Sequence, residues 1–137
     1  MEKEFIPYEQ ALALKELGFD EPCAASYGSY THKTSELFLN INNPVNIETL
    51  LREPTAFNQP SFYVKSPTFS QCFRWFREKY DKDSFIARCN STKGYFFDIS
   101  WRNKKGILKD FQSKDFKNHS EAELECLKKL IEIVKEK

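Results

Sequence analysis

The sequence predicts an α+β fold in which three helices pack on a mainly antiparallel sheet. Two observations carry this expectation. Apolar residues recur at helical spacing in three stretches, Pro7–Leu17, Pro67–Tyr80 and Ser120–Val134. Between them lie runs that alternate with a period of two, clearest in Tyr95–Arg102. The expected order is α-β-β-(short α)-β-α-β-β-(β)-α, without internal repeats. A length of 137 residues suits one domain with a single core, with a loop-rich insertion at about 43–60. Thirteen phenylalanines make much of that core aromatic.

The first helix spans Pro7 to Leu17, with Pro7 near its first position, where a missing N–H is harmless. Ala11, Leu12, Leu14 and Leu17 form its apolar face. Gly18 suits a left-handed stop, and Phe19 is placed to pack back on Leu14 in a Schellman-type ending. Cys23–Tyr30 and Leu37–Asn42 read as strands joined by a turn through Thr31–Ser35. Tyr27 and Tyr30 then point to opposite faces. Asn46 is expected to cap a short helix, Ile47–Glu53, which Pro54 ends. Ser61–Lys65 is a short strand leading into the central helix.

That central helix is the clearest in the chain. Phe69, Phe73, Phe76 and Tyr80 fall on one stripe at i, i+4, i+7 and i+11. Two caps compete for its start: Ser66, which puts Pro67 at the first position, and Thr68, which pairs with Gln71 in a capping box. Asp81-Lys82-Asp83 reads as a turn. Phe85–Asn90 and Tyr95–Arg102 follow as a hairpin through Ser91–Gly94, with Tyr95, Phe97, Ile99 and Trp101 on one face and Phe96, Asp98, Ser100 and Arg102 on the other. A further strand is expected at Ile107–Phe111 after the turn Asn103–Gly106. The last helix starts at Ser120 with Glu123 as its capping-box partner. Leu124, Leu127, Leu130, Ile131 and Val134 form its core stripe, widened by Cys126 and Ile133. So broad an arc implies a second helix or a second subunit against it, so a homo-oligomer is expected.

Three stretches carry a family likeness: Glu4–Cys23 (EFIPYEQALALKELGFDEPC), Pro67–Tyr80 (PTFSQCFRWFREKY) and Glu121–Val134 (EAELECLKKLIEIV). In these the chain resembles a family of small proteins carried by bacteriophages and prophages of Bacteroidetes-type bacteria. The resemblance covers the three helices and carries over no functional residues; the segment Asn40–Ser66 is the part most particular to this chain. It implies a non-enzymatic phage accessory protein acting in the cytoplasm of a bacterial host. Such factors bind a host protein or sequester a nucleotide signal of host defence, which is association rather than chemistry read from side chains.

The residues themselves narrow the chemistry. A net charge of +1 argues against a large footprint for duplex DNA. Neither a secretory leader nor an apolar run long enough to span a membrane is evident. Cys23, Cys72, Cys89 and Cys126 are widely spaced, which suits reduced thiols rather than a metal site. Only His32 and His119 are available as histidine ligands or bases, neither at ligand spacing from a cysteine. No nucleophile-elbow, zinc-protease or phosphate-loop motif is present, so neither catalysis nor a cofactor is expected.

Binding suits the composition better. Trp75 lies roughly 120° from the aromatic stripe of its helix, so it is either a shoulder of the core or an anchor at a rim. Arg74 and Arg77 occupy the opposite flank. With Tyr27, Tyr30, Arg88, Lys93, Arg102, Lys104 and Lys105 they form the candidate ligand-binding set. Aromatic planes stack on a base while cations take phosphates. Tyr95 and Trp101 belong more naturally to the core, Asp98 to a half-exposed strand face, and Lys104-Lys105 also reads as solvated hairpin charge. The leading expectation is an anti-defence protein that binds and sequesters a nucleotide-derived immune signal. The alternatives are an inhibitor that docks on a host enzyme and a weak binder of single-stranded nucleic acid.

Overall fold

The computed structural model describes residues 4–29, 36–39 and 62–136. The fold is α+β, and its strands divide into two three-stranded antiparallel sheets rather than one continuous sheet. Each sheet belongs to its own compact unit, Met1–Thr68 and Phe69–Lys137.

The first unit contains α1 (Tyr8–Glu16), β1 (Ala25–Ser29), β2 (Glu36–Leu39) and β3 (Phe62–Ser66). β1 is central, in the order β2-β1-β3; Tyr27 stands opposite Leu37 on one side and Val64 on the other. Helix α1 packs on β3. Ile6, Ala11, Leu14, Phe19, Cys23, Ala25 and Val64 are buried. The entry to α1 is pinned by one carbonyl. Ile6 O accepts the hydroxyls of Tyr27 (2.8 Å) and Ser66 (3.1 Å), and Ile6 N donates to Pro67 O (3.1 Å).

The end of α1 follows the sequence expectation. Leu17 is the last cap residue, and Gly18 takes φ 96°. Phe19 N donates to Leu14 O (3.0 Å) and Gly18 N to Lys15 O (3.1 Å), the paired bonds of a Schellman motif. Phe19 and Leu14 are both buried, which supplies the apolar contact that the motif favours.

The second unit contains α2 (Phe69–Tyr80), β4 (Lys82–Arg88), β5 (Tyr95–Arg102), β6 (Leu108–Gln112) and α3 (His119–Lys135). The strands form a meander with β5 in the middle. On its inner face Phe97 and Ile99 are buried; α3 lies over β5 and β4, and α2 packs on β4 and α3. The width of the apolar arc on α3 is thus met by α2 within the same unit, and it is no longer an argument for a subunit contact.

Four expectations shift. Ser66 is a strand residue whose hydroxyl is spent on Ile6, so it does not cap α2; the helix begins at Phe69, after Thr68. Asp81 alone turns the chain, at φ 55°, so β4 begins at Lys82 inside the expected turn. The helix α3 begins one residue early. Asn118 Oδ1 accepts from Glu121 N (2.9 Å) and Glu121 Oε2 from Lys117 N (3.1 Å), so the capping pair sits two residues before Ser120 and Glu123. The buried face of α2 is Phe69, Cys72, Trp75 and Phe76, whereas Phe73 is only half-buried. The Thr31–Ser35 turn, the short helix Ile47–Glu53 and the 43–60 insertion lie outside the described residues.

Candidate functional site

Within the second unit, the candidate residues chosen from sequence do not converge. Tyr27 belongs to the first unit, where its hydroxyl is held by Ile6 O and its ring meets Tyr8 edge-on at 5.7 Å. Tyr30 lies outside the described residues. Trp75 is a core residue, 5% exposed, with its ring edge-to-face against Phe76 (5.1 Å) and Tyr80 (5.3 Å). A rim anchor needs an accessible ring, so this part of the expectation is corrected. Arg74 and Arg77 are exposed on α2, and Arg77 reaches Asp83 at 3.9 Å.

Arg88 and Lys93 stand at the β4–β5 turn, whereas Arg102, Lys104 and Lys105 stand at the β5–β6 turn. These turns cap opposite ends of β5, a separation of roughly 25 Å for a strand of this length. The Arg102 guanidinium donates to Gly106 O (3.0 Å) and so helps to close its own turn. One small ligand cannot span the two ends.

The structure assembles a different site in the same unit, along the groove between α3 and the β5–β6 side of the sheet. Its volume is about 250 Å³. The floor is aromatic. Phe97 stacks on Phe116 with centroids 6.0 Å apart and planes at 8°, and it meets Phe111 at 5.9 Å. Phe116 reaches this position because the chain beyond β6 bridges back to β5: Tyr95 N donates to Phe116 O (2.8 Å) and Phe116 N to Tyr95 O (2.6 Å). The return passes close over Gly94, where a Cβ would stand 2.6 Å from Phe116 O, so only glycine fits beneath it.

The rim is cationic. Lys129 Nζ lies 4.5 Å from the Phe111 centroid and Lys114 Nζ 5.7 Å from that of Phe116. Lys128 and Lys129 also pair with Glu125 and Glu132, each at 3.3 Å. These are half-exposed i,i+3 pairs of small net strength, which leaves both ammonium groups able to turn toward an anion. Ser113 completes the wall. Its hydroxyl accepts from Phe97 N (2.9 Å) and donates to Lys114 O (2.7 Å), so it fixes the rim loop rather than serving as a nucleophile.

This groove eluded sequence reasoning for a definite reason. Phe97 reads as one face of a strand and Phe111 as the end of a further strand, while Lys128 and Lys129 read as charges complementing the helix dipole. The usable signal was the pairing of α3 lysines at adjacent positions with a strand-end aromatic, but it is visible only once Phe116 is known to fold back.

The first unit holds a larger cavity, about 370 Å³, lined by Ala11, Lys15, Gly18, Phe19, Asp20, Val64 and Lys65. Its wall is mainly apolar with a single ring, Phe19, and the Lys65 ammonium is already bound to Asp20 O (2.5 Å). It lacks the combination of stacked rings and cations that the groove offers.

The four thiols differ: Cys89 is half-buried, and hydrogen bonds from Ser91 and Thr92 hold its thiol below the ordinary value. All four cysteines are free, and Cys23, Cys72 and Cys126 are buried. Burial pushes the Cys23 and Cys126 thiols up to about 12, which keeps them protonated and poor as nucleophiles. Among the described residues no group of three or more His, Cys, Asp or Glu side chains is placed to hold a metal ion. Nor is any helix there long and apolar enough to cross a membrane. Compared with known proteins, the chain matches no family model, no curated protein and no solved structure.

Proposed function

We propose that the protein is a non-enzymatic binder that captures a small ligand with a planar ring and an anionic group, of nucleotide type, in the groove between α3 and β5–β6. The carrying observation is the conjunction of a three-phenylalanine floor with ammonium groups at its edge. A base finds apolar π surface, and phosphate oxygens find Lys114, Lys128 and Lys129. Three lysines against two glutamates leave the rim net positive, which favours an anion over a cation. In its finer form the proposal is sequestration: a phage-type accessory protein that withholds a nucleotide-derived defence signal in the host cytoplasm. The resemblance of the three helices to phage proteins supports that setting.

Thermal unfolding across a panel of linear and cyclic nucleotides tests the proposal. A ligand at a hundred times its Kd stabilises the folded state by about 2.7 kcal/mol, a rise of roughly 15–20 °C for a unit of this size. Mass spectrometry of the heat-released ligand should return it unchanged. Lys129→Ala should remove most of the shift while leaving the unliganded melting temperature nearly unaltered. A panel without any shift, or a ligand returned cleaved, refutes it.

A further inference from the structure

The outer face of the second sheet, turned away from α2 and α3, has a chemistry unlike the groove. Cross-strand register places Asp98 between Phe85 and Gln112, and Ser100 between Asp83 and Asp110. Strict alternation therefore brings Asp83, Asp98 and Asp110 onto the same face as Phe85, Phe96 and Leu108. Phe85 is 56% exposed and Leu108 61%. With Ile107, which immediately precedes β6, they are the large apolar side chains most exposed among the described residues. The Phe85 ring meets Phe96 edge-on at 6.5 Å, so the apolar part is a patch rather than scattered side chains.

From this juxtaposition we infer that the outer face of β4–β6 docks a cationic amphipathic segment of a partner protein. Charge complementarity selects that occupant. Of the three carboxylates, Asp83 is met by Arg77 of α2 at 3.9 Å, and the one guanidinium on the face itself, Arg102, is engaged by Gly106 O. Asp98 and Asp110 meet no cation among the described residues; instead they adjoin each other, and burial followed by the hydrogen bond to Asp110 raises the Asp98 carboxyl to about 6. Two adjacent carboxylates that must share a proton or repel are relieved by an incoming Arg or Lys. Phe85 and Leu108 supply the apolar contacts that lysine-rich or arginine-rich polymers lacking apolar side chains would leave unused. Phosphate-bearing partners, whether nucleic acid or an anionic membrane, are repelled by the same carboxylates.

The test uses the full chain and a fluorescent helical peptide that carries Leu and Arg along one face, beside its Glu-for-Arg counterpart. Anisotropy should show binding of the Arg peptide only, weakening as salt is raised. Asp98→Asn with Asp110→Asn should weaken it about tenfold, and Phe85→Ser with Leu108→Ser about as much. Both pairs are surface changes, and unaltered circular dichroism confirms the fold. Asp98→Lys with Asp110→Lys should exchange the preference in favour of the Glu peptide. Nitrogen-15 amide shifts should map to β4–β6. The inference is overturned if the Arg peptide does not bind, if the double Asn variant binds it equally well, or if the shifts map elsewhere. Self-association of the chain that the charge reversal abolishes would overturn it too, by making a second copy the occupant.

Discussion

Truncating Phe76 to alanine should cost far more than truncating Phe73, although both belong to the same aromatic stripe of α2. Phe76 is fully enclosed, and its ring lies 5.1 Å from Trp75 and 6.0 Å from Tyr80. Loss of a buried phenylalanine side chain costs about 3–5 kcal/mol, and the broken edge-to-face contact with Trp75 pushes the value toward the upper end. Phe73 is half-buried and meets Phe69 at 6.2 Å, so its removal should cost about 1–2 kcal/mol. The assay is urea unfolding followed by tryptophan fluorescence. Both tryptophans, Trp75 and Trp101, lie in the second unit, so emission reports that unit alone. With a urea slope near 1 kcal/mol/M for so small a unit, the Phe76 variant should move the midpoint by roughly 4 M relative to wild type and the Phe73 variant by about half of that or less. Should Phe76→Ala prove too unstable to fold, Phe76→Leu keeps most of the volume and should fall between them. A Phe73 cost equal to or above that of Phe76 would refute the assignment of the buried face.

Two further outcomes follow from caps and carboxylates. Asn118→Ala should lower stability by about 1 kcal/mol, whereas Ser120→Ala should leave the urea midpoint nearly unchanged; the reverse ranking would restore the cap to Ser120. Asp98 binds its proton more tightly folded than unfolded, with its pKa raised to about 6 from 3.8. Its stabilising contribution is therefore complete below pH 3.8 and is lost as pH rises through 6. Asp98→Asn should flatten that fall and add about 1 kcal/mol at neutral pH, because solvent screening at a half-exposed position holds the gain down. Identical pH dependence of the urea midpoint in both proteins would contradict this.

Local chemistry was legible wherever neighbours in sequence are also neighbours in space. Gly18 and Phe19 announce the end of α1 because a Schellman stop is written within six residues. Tyr95–Arg102 shows its two faces because alternation is a property of one strand. Trp75 illustrates the opposite case. Its angle from the stripe left both core and rim open, with a slight lean to the core, and only the surrounding packing decides between them. The groove was invisible for a related reason. Phe97, Phe111 and Phe116 become one floor through a backbone bridge between Tyr95 and Phe116, and no periodicity encodes that return. Ser120 with Glu123 matched the capping-box pattern, but Asn118 with Glu121 offers the same chemistry two residues earlier and begins the helix sooner.

The two sheets also differ in how far along the chain their strands must reach. In the second unit each strand pairs with its immediate successor across a short turn, so β4, β5 and β6 zip together locally. In the first unit the central strand β1 pairs with β3, and Ala25 meets Ser66 only after about forty intervening residues have closed into a loop. Local pairing is fast and distant pairing slow. During synthesis the later half of the chain thus gains its sheet soon after emerging, while the earlier half, although made first, waits for β3 before its central strand has a partner on both edges.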